Sequence, residues 1–158
     1  MLHFVCDKDL KDKYLEKKIF SALCAIFFSD TVFNFEEKVL KEKFIFWPDG
    51  ISSKLIKRNI KNVPGRDMLR KLIHLCKQNN NHITFAGSPI RFNDSIFSGL
   101  SYNFVDLPFD TADKLSKEIL KHEIGDVIVL CVSSPKQEEI ASYIQKEINV
   151  PIYCFGAA

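Results

Sequence analysis

The chain is predicted to be an α/β protein: a Rossmann-like, doubly wound, mostly parallel sheet with helices on both faces, plus an N-terminal helical segment. Three observations predict this class. Short, continuously apolar runs alternate with longer segments whose apolar residues step by three and four. The run Asp-Val-Ile-Val-Leu-Cys-Val at 126–132 is apolar on both faces beyond its first residue, as a strand inside a parallel sheet must be. Clusters of Gly, Pro and Asn stand where one kind of segment gives way to the next.

Residues 1–43 are predicted to be a helical N-terminal part, because Leu10, Tyr14, Leu15, Ile19, Leu23, Ile26 and Phe27 recur at helical steps with Lys and Asp between them. Asp30, Thr31 and Asn34 break this pattern, and a second helix is expected over 35–43. Phe44-Ile45-Phe46-Trp47 reads as a buried strand closed by the turn Pro48-Asp49-Gly50. A helix over 51–59 follows, then the loop Asn62-Val63-Pro64-Gly65. The helix over 66–77 carries the stripe Leu69, Leu72, Ile73 and Cys76, with His74 expected at the edge of the core. Asn79, Asn80 and Asn81 end it, and a strand over 82–86 stops at Gly87-Ser88-Pro89. A short helix over 90–100, a strand over 103–107 and a helix from an N-cap at Thr111 to His122 come next. The strand over 126–132, a helix over 135–147 and a strand over 151–155 complete one domain, 1–158, whose core is 44–158.

Composition narrows the function. Hydrophobic residues make up 46 % of the 158 and charged residues 27 %, which is globular usage and excludes general disorder. With 22 basic and 20 acidic side chains the net charge is +2, too small a bias for a nucleic-acid partner. Cys6, Cys24, Cys76, Cys131 and Cys154 are odd in number and form no C-x-x-C pair, so a disulfide framework and a metal site are not expected. Reduced thiols point to a cytoplasmic protein. The longest apolar run, residues 19–28, is half of what a membrane helix needs, and its mixed-charge flank and missing cleavage site argue against a signal peptide.

In a sheet of this kind, ligands bind at the carboxyl ends of the strands beside helix N-termini. Four loops fall on that edge: Pro48-Asp49-Gly50, Gly87-Ser88, Ser133-Ser134-Pro135-Lys136-Gln137-Glu138 and Gly156-Ala157-Ala158. None is a G-x-G-x-x-G or a Walker loop. Asp49 suits a general base, but Pro-Asp-Gly is equally ordinary turn chemistry. Ser134, Pro135 and Gln137 also read as a capping box, with Lys136 and Glu138 as first-turn charges. Gly87-Ser88 suits either a close approach to a diphosphate or a plain strand-ending turn. Lys54, Lys57, Arg58 and Lys61 suit a phosphate-rich surface or a solvated helix face.

Taken in order, these loops resemble the WecG/TagA/CpsF glycosyltransferases, glycosyltransferase family 26. The pieces are PDGI at 48–51, VPGRD at 63–67, FAGSP at 85–89, SSPKQE at 133–138 and FGAA at 155–158, of which PKQE is the most specific. The resemblance implies an inverting, metal-independent transfer of a hexose, often of the N-acetylmannosamine type, from a UDP-sugar. The acceptor it implies is a sugar on a polyprenyl diphosphate, met peripherally at the inner membrane face during cell-surface polysaccharide synthesis. No cofactor beyond the UDP-sugar substrate is implied, and homo-oligomer formation stays open. By resemblance Asp49 is the base and Gln137 shares its pocket. Gly87, Ser88, Ser133, Ser134, Lys136, Glu138 and Arg66 are then the substrate-binding candidates. Ala22-Leu23-Cys24-Ala25 stands where the family carries a Thr-x-Asn-type motif, and Asn62 where an Arg is common. The family pattern also runs on past FGAA. These departures are the basis of an alternative function, a non-catalytic nucleotide-sugar-binding homologue.

Overall fold

The computed structural model describes residues 3–4, 8–22, 44–49, 61–87 and 94–156. Seven strands form one sheet: β1 (His3–Phe4), β2 (Ile19–Ala22), β3 (Phe44–Trp47), β4 (His82–Gly87), β5 (Ser101–Asp106), β6 (Val127–Cys131) and β7 (Ile152–Cys154). Their spatial order is β1-β3-β2-β7-β6-β4-β5. Every pairing among them is parallel, so the carboxyl ends of all seven strands share one edge.

Five helices are described: α1 (Leu10–Lys13), α2 (Gly65–Gln78), α3 (Asp94–Phe97), α4 (Ala112–Leu120) and α5 (Lys136–Glu147). The sheet has two apolar faces because successive strand residues point to opposite sides. On one face Phe20, Ile45, Trp47, Phe85, Val129 and Tyr153 pack with Leu10 of α1, Met68 and Leu72 of α2 and Phe97 of α3. On the other, Phe44, Phe46, Ala86, Leu130, Ile152 and Cys154 pack with Leu115 and Ile119 of α4 and Ile140 and Ile144 of α5. The result is the expected α/β fold with helices on both faces of a parallel sheet. Phe20 and Tyr153 stack across neighbouring strands with ring centroids 4.3 Å apart, a pairing that adds roughly 0.5–1.5 kcal/mol to the burial of the rings.

The N-terminal part corrects the sequence reading. Residues 19–22 are a strand, not a helix, and α1 is a single turn. The physical reason is position. β2 lies inside the sheet between β3 and β7, with Phe20 packed in one core and Ile19 in the other, so both of its faces are covered and its Ile-Phe-Ser-Ala run lacks alternation. A short run of that kind cannot be told from a buried helix by periodicity. The Glu16–Lys18 turn, closed by Lys18 N–H donating to the Glu16 carbonyl, separates the two elements. The helix expected over 90–100 is described only as the turn α3, at 94–97. The expected helices over 35–43 and 51–59 lie outside the described residues.

Candidate functional site

β4 leads through α3 to β5 on one side, while β6 leads through α5 to β7 on the other. The connections therefore diverge between the adjacent strands β4 and β6, which makes a switch point of the type that opens a crevice at the carboxyl edge. A cavity of about 380 Å3 lies there, lined by Gly87, Leu107, Phe109, Cys131, Ser133, Ser134 and Lys136 among others. That volume falls within the roughly 300–1,000 Å3 of small-molecule sites.

Gly87 ends β4 with a φ of +152°, and a Cβ there would run into the carbonyl of Cys131 on β6. Glycine is required at this point because two backbones meet at the cavity floor. Cys131 also lines the cavity, and burial pushes its thiol up to about 12, so it is a neutral wall rather than a nucleophile at neutral pH. Lys136 brings charge to the cavity, and no acidic side chain among the described residues lines it. Its Nζ donates to the Asp110 carbonyl at 3.0 Å and sits 4.5 Å above the ring centroid of Phe109. Phe109 is 99 % exposed at the rim. Asp110 is held below the usual carboxylate range, first by the Thr111 N–H and then by Lys114. The Thr111 side chain makes no cap bond to α4; instead its N–H donates to Asp110 Oδ1 at 2.8 Å.

Ser134 and Gln137 are not a capping box. Pro135 occupies the N-cap position of α5, and the Ser134–Pro135 peptide is cis. Ser134 Oγ donates to Glu138 Oε2 at 2.8 Å. Glu138 is 2 % exposed, and its Oε1 accepts from Ser21 Oγ of β2 at 2.7 Å and from Gln137 Nε2 at 3.0 Å. Gln137 Oε1 in turn accepts the Gly156 N–H at 2.8 Å. The amides of Gln137, Glu138 and Glu139 donate to the carbonyls of Ser133 and Pro135. The first turn of α5 is thus a buried polar knot joining β2, β6 and the end of β7. Its carboxylate is balanced by three donors and by the positive end of a helix dipole.

Asp49 serves a second junction. Its Oδ2 accepts the Gly65 N–H at 3.1 Å, doing for α2 what its N-cap Pro64 cannot. Glycine keeps this approach uncrowded: a Cβ at Gly65 would sit 3.2 Å from Asp49 Oδ2. Pro48 O accepts the Val63 N–H at 2.7 Å and ties the PDG and VPG loops together. Phe155 spans the gap to the α5 knot, with its ring 5.0 Å from that of Trp47 and its neighbour Gly156 bonded to Gln137.

The structure therefore brings Gly87, Ser133, Ser134 and Lys136 into one cavity. It sets Gln137 and Glu138 behind that cavity's wall and Asp49 two strands beyond β7, at the mouth of α2. Arg66 is exposed in the first turn of α2. Ser88, Lys54, Lys57 and Arg58 lie outside the described residues; Lys61 is exposed. Sequence reasoning missed Ser21, Phe109 and Asp110. Ser21 had a usable signal, a lone hydroxyl inside a ten-residue apolar run. Among the described residues no group of three or more His, Cys, Asp or Glu side chains is placed to hold a metal ion. No helix among them is long and apolar enough to cross a membrane.

Compared with known proteins, the chain matches no protein-family model and no curated sequence.

Proposed function

We propose that this protein is an inverting, metal-independent glycosyltransferase of the WecG/TagA/CpsF type. It moves a hexose from a UDP-sugar to a lipid-linked acceptor sugar. The observation that carries this reading is the switch-point cavity, whose wall brings together residues of two of the motif loops, Gly87 from one and Ser133, Ser134 and Lys136 from the other. An acid-free cavity with one lysine suits a diphosphate, whose charge in the leaving UDP must be stabilised by fixed donors. Phe109 at the rim is an aromatic face beside that cation, suited to a planar base. Asp49 carries the base role. Its Oδ1 has no hydrogen-bond partner among the described residues and is available to an acceptor hydroxyl, while Oδ2 stays on Gly65. Gln137 holds the Gly156 backbone and Glu138, so its part is to position the edge.

A second reading has a specific observation behind it. Asp49 and Gln137 do not line the cavity and both bear structural hydrogen bonds, which suits a non-catalytic nucleotide-sugar binder. Calorimetric titration with UDP tests the shared part of both readings, with hydrogen exchange locating the site. The expected result is binding with protection at 133–136. Binding with protection confined to other strands would contradict both.

A further inference from the structure

We infer that the groove between α1 and α2 is a second binding site, for an amphiphilic anion: one apolar chain bearing one acidic head. The groove, of about 320 Å3, is lined by Leu10, Lys11, Arg70, Lys71, His74 and Leu75. Leu10 and Leu75 are buried at its base, and the surface that lines it is mostly apolar. Lys11, Arg70 and His74 are exposed, so three cationic or protonatable heads and Lys71 stand around that base. His74 is thus a rim residue, not the core-edge residue its place beside the apolar stripe predicted. No acidic side chain among the described residues lines the groove. The nearest acid in sequence on α2 is Asp67, whose Oδ1 lies 3.8 Å from Arg70 Nη1, with the two side chains 47 % and 63 % exposed. An exposed pair at that distance adds little, so Arg70 can exchange it for a bound anion.

Size selects the occupant. The volume is at the lower end of the roughly 300–1,000 Å3 of ligand sites, and a helix about 10 Å across does not fit it. A bare inorganic anion would leave the groove's mostly apolar lining wet, and a neutral hydrocarbon would leave the cations unused. A chain with an acidic head satisfies both. The groove begins five residues after Gly65, roughly 8 Å along α2 from the Asp49 junction, and lies on the opposite face of the sheet from α4 and α5. The inference does not rest on sugar transfer.

The test is calorimetry on the full chain at low salt with three probes: decyl phosphate below its micelle concentration, decanol and inorganic phosphate. Decyl phosphate is expected to bind one-to-one, to weaken as salt shortens the screening length, and to exceed both other probes. The double variant Lys11→Gln/Arg70→Gln, which alters exposed side chains only, is expected to bind it roughly tenfold more weakly at an unchanged melting temperature. UDP added first is expected to leave decyl phosphate binding unaltered, which separates this groove from the switch-point cavity. Absent binding, equal binding of decanol or phosphate, an unaffected double variant, or competition by UDP would each overturn the inference. Co-sedimentation distinguishes the sources. Pelleting with phosphatidylglycerol but not phosphatidylcholine vesicles, lost in the double variant, assigns the head to a bilayer lipid. Decyl phosphate binding without pelleting assigns it to a soluble amphiphile.

Discussion

At Asp49 one carboxylate oxygen holds the start of α2 through Gly65, and the two substitutions that remove its charge separate that duty from chemistry. Asp49→Asn keeps an acceptor oxygen and a turn-compatible residue, so its melting temperature is expected to stay near wild type. Asp49→Ala removes the cap and is expected to cost about 0.5–2 kcal/mol in urea unfolding; equal stability of Ala and Asn would show that the bond is idle. Glu138 is expected to matter more. Glu138→Ala strands the hydroxyls of Ser21 and Ser134 and the Gln137 amide, for a cost of about 1–3 kcal/mol or more. Gln137→Ala is expected to destabilise by the same route, with faster hydrogen exchange at Gly156 as its signature. A Gln137→Ala protein with native exchange at Gly156 would contradict the knot described above.

Among the elements, β4 and β6 set the site, and Gly87 sets their spacing. Gly87→Ala is expected to lose more than about 1 kcal/mol, since both its φ and its contact with the Cys131 carbonyl forbid a Cβ. A wild-type denaturation midpoint for that variant would refute the close approach. Residues 82–87, 127–131 and 152–154 were legible as strands because each is an apolar run bounded by Gly, Asn or Pro. The helix at 65–78 was legible from its stripe. β2 was not, because a strand covered on both faces loses the alternation that marks strands, and its Ile19 fell in step with the helical residues before it. The first turn of α5 was half legible. Ser134-Pro135-Lys136-Gln137 has the composition of a capping box, which uses both polar side chains as acceptors of backbone N–H groups, but the buried Glu138 carboxylate takes the Ser134 hydroxyl and the Gln137 amide as donors instead. Nothing local to 133–138 announces Ser21, more than a hundred residues earlier in the chain.

Over the whole molecule, burial of acidic groups that ordinarily titrate above neutrality makes stability fall in alkali. Burial, aided by Asp126, pushes the Cys76 thiol up to about 12, and burial alone does the same for Cys131. Cys154 and Tyr153 are each raised well above their ordinary values, both chiefly by burial. A folded-state value above the unfolded one gives stability that is complete below the unfolded thiol value of about 8.5 and is lost as pH climbs towards 12. The urea midpoint is expected to fall steadily over that window under reducing conditions; a flat profile would mean that these thiols are not buried. The sheet order that places the strand-end loops on one edge was legible only as a class, since parallel pairing and the β4–β6 divergence depend on contacts distant in sequence. The sharpest check on the proposed sugar transfer at this edge is UDP release from a panel of UDP-sugars. The assay contains a lipid-linked acceptor and a chelator, and compares wild type with Asp49→Asn. Acceptor-dependent release is expected to persist in chelator and to fall by roughly 10²–10⁴-fold in the variant. Full activity in Asp49→Asn, or no release with any donor from a protein that binds UDP, would contradict the proposed transfer.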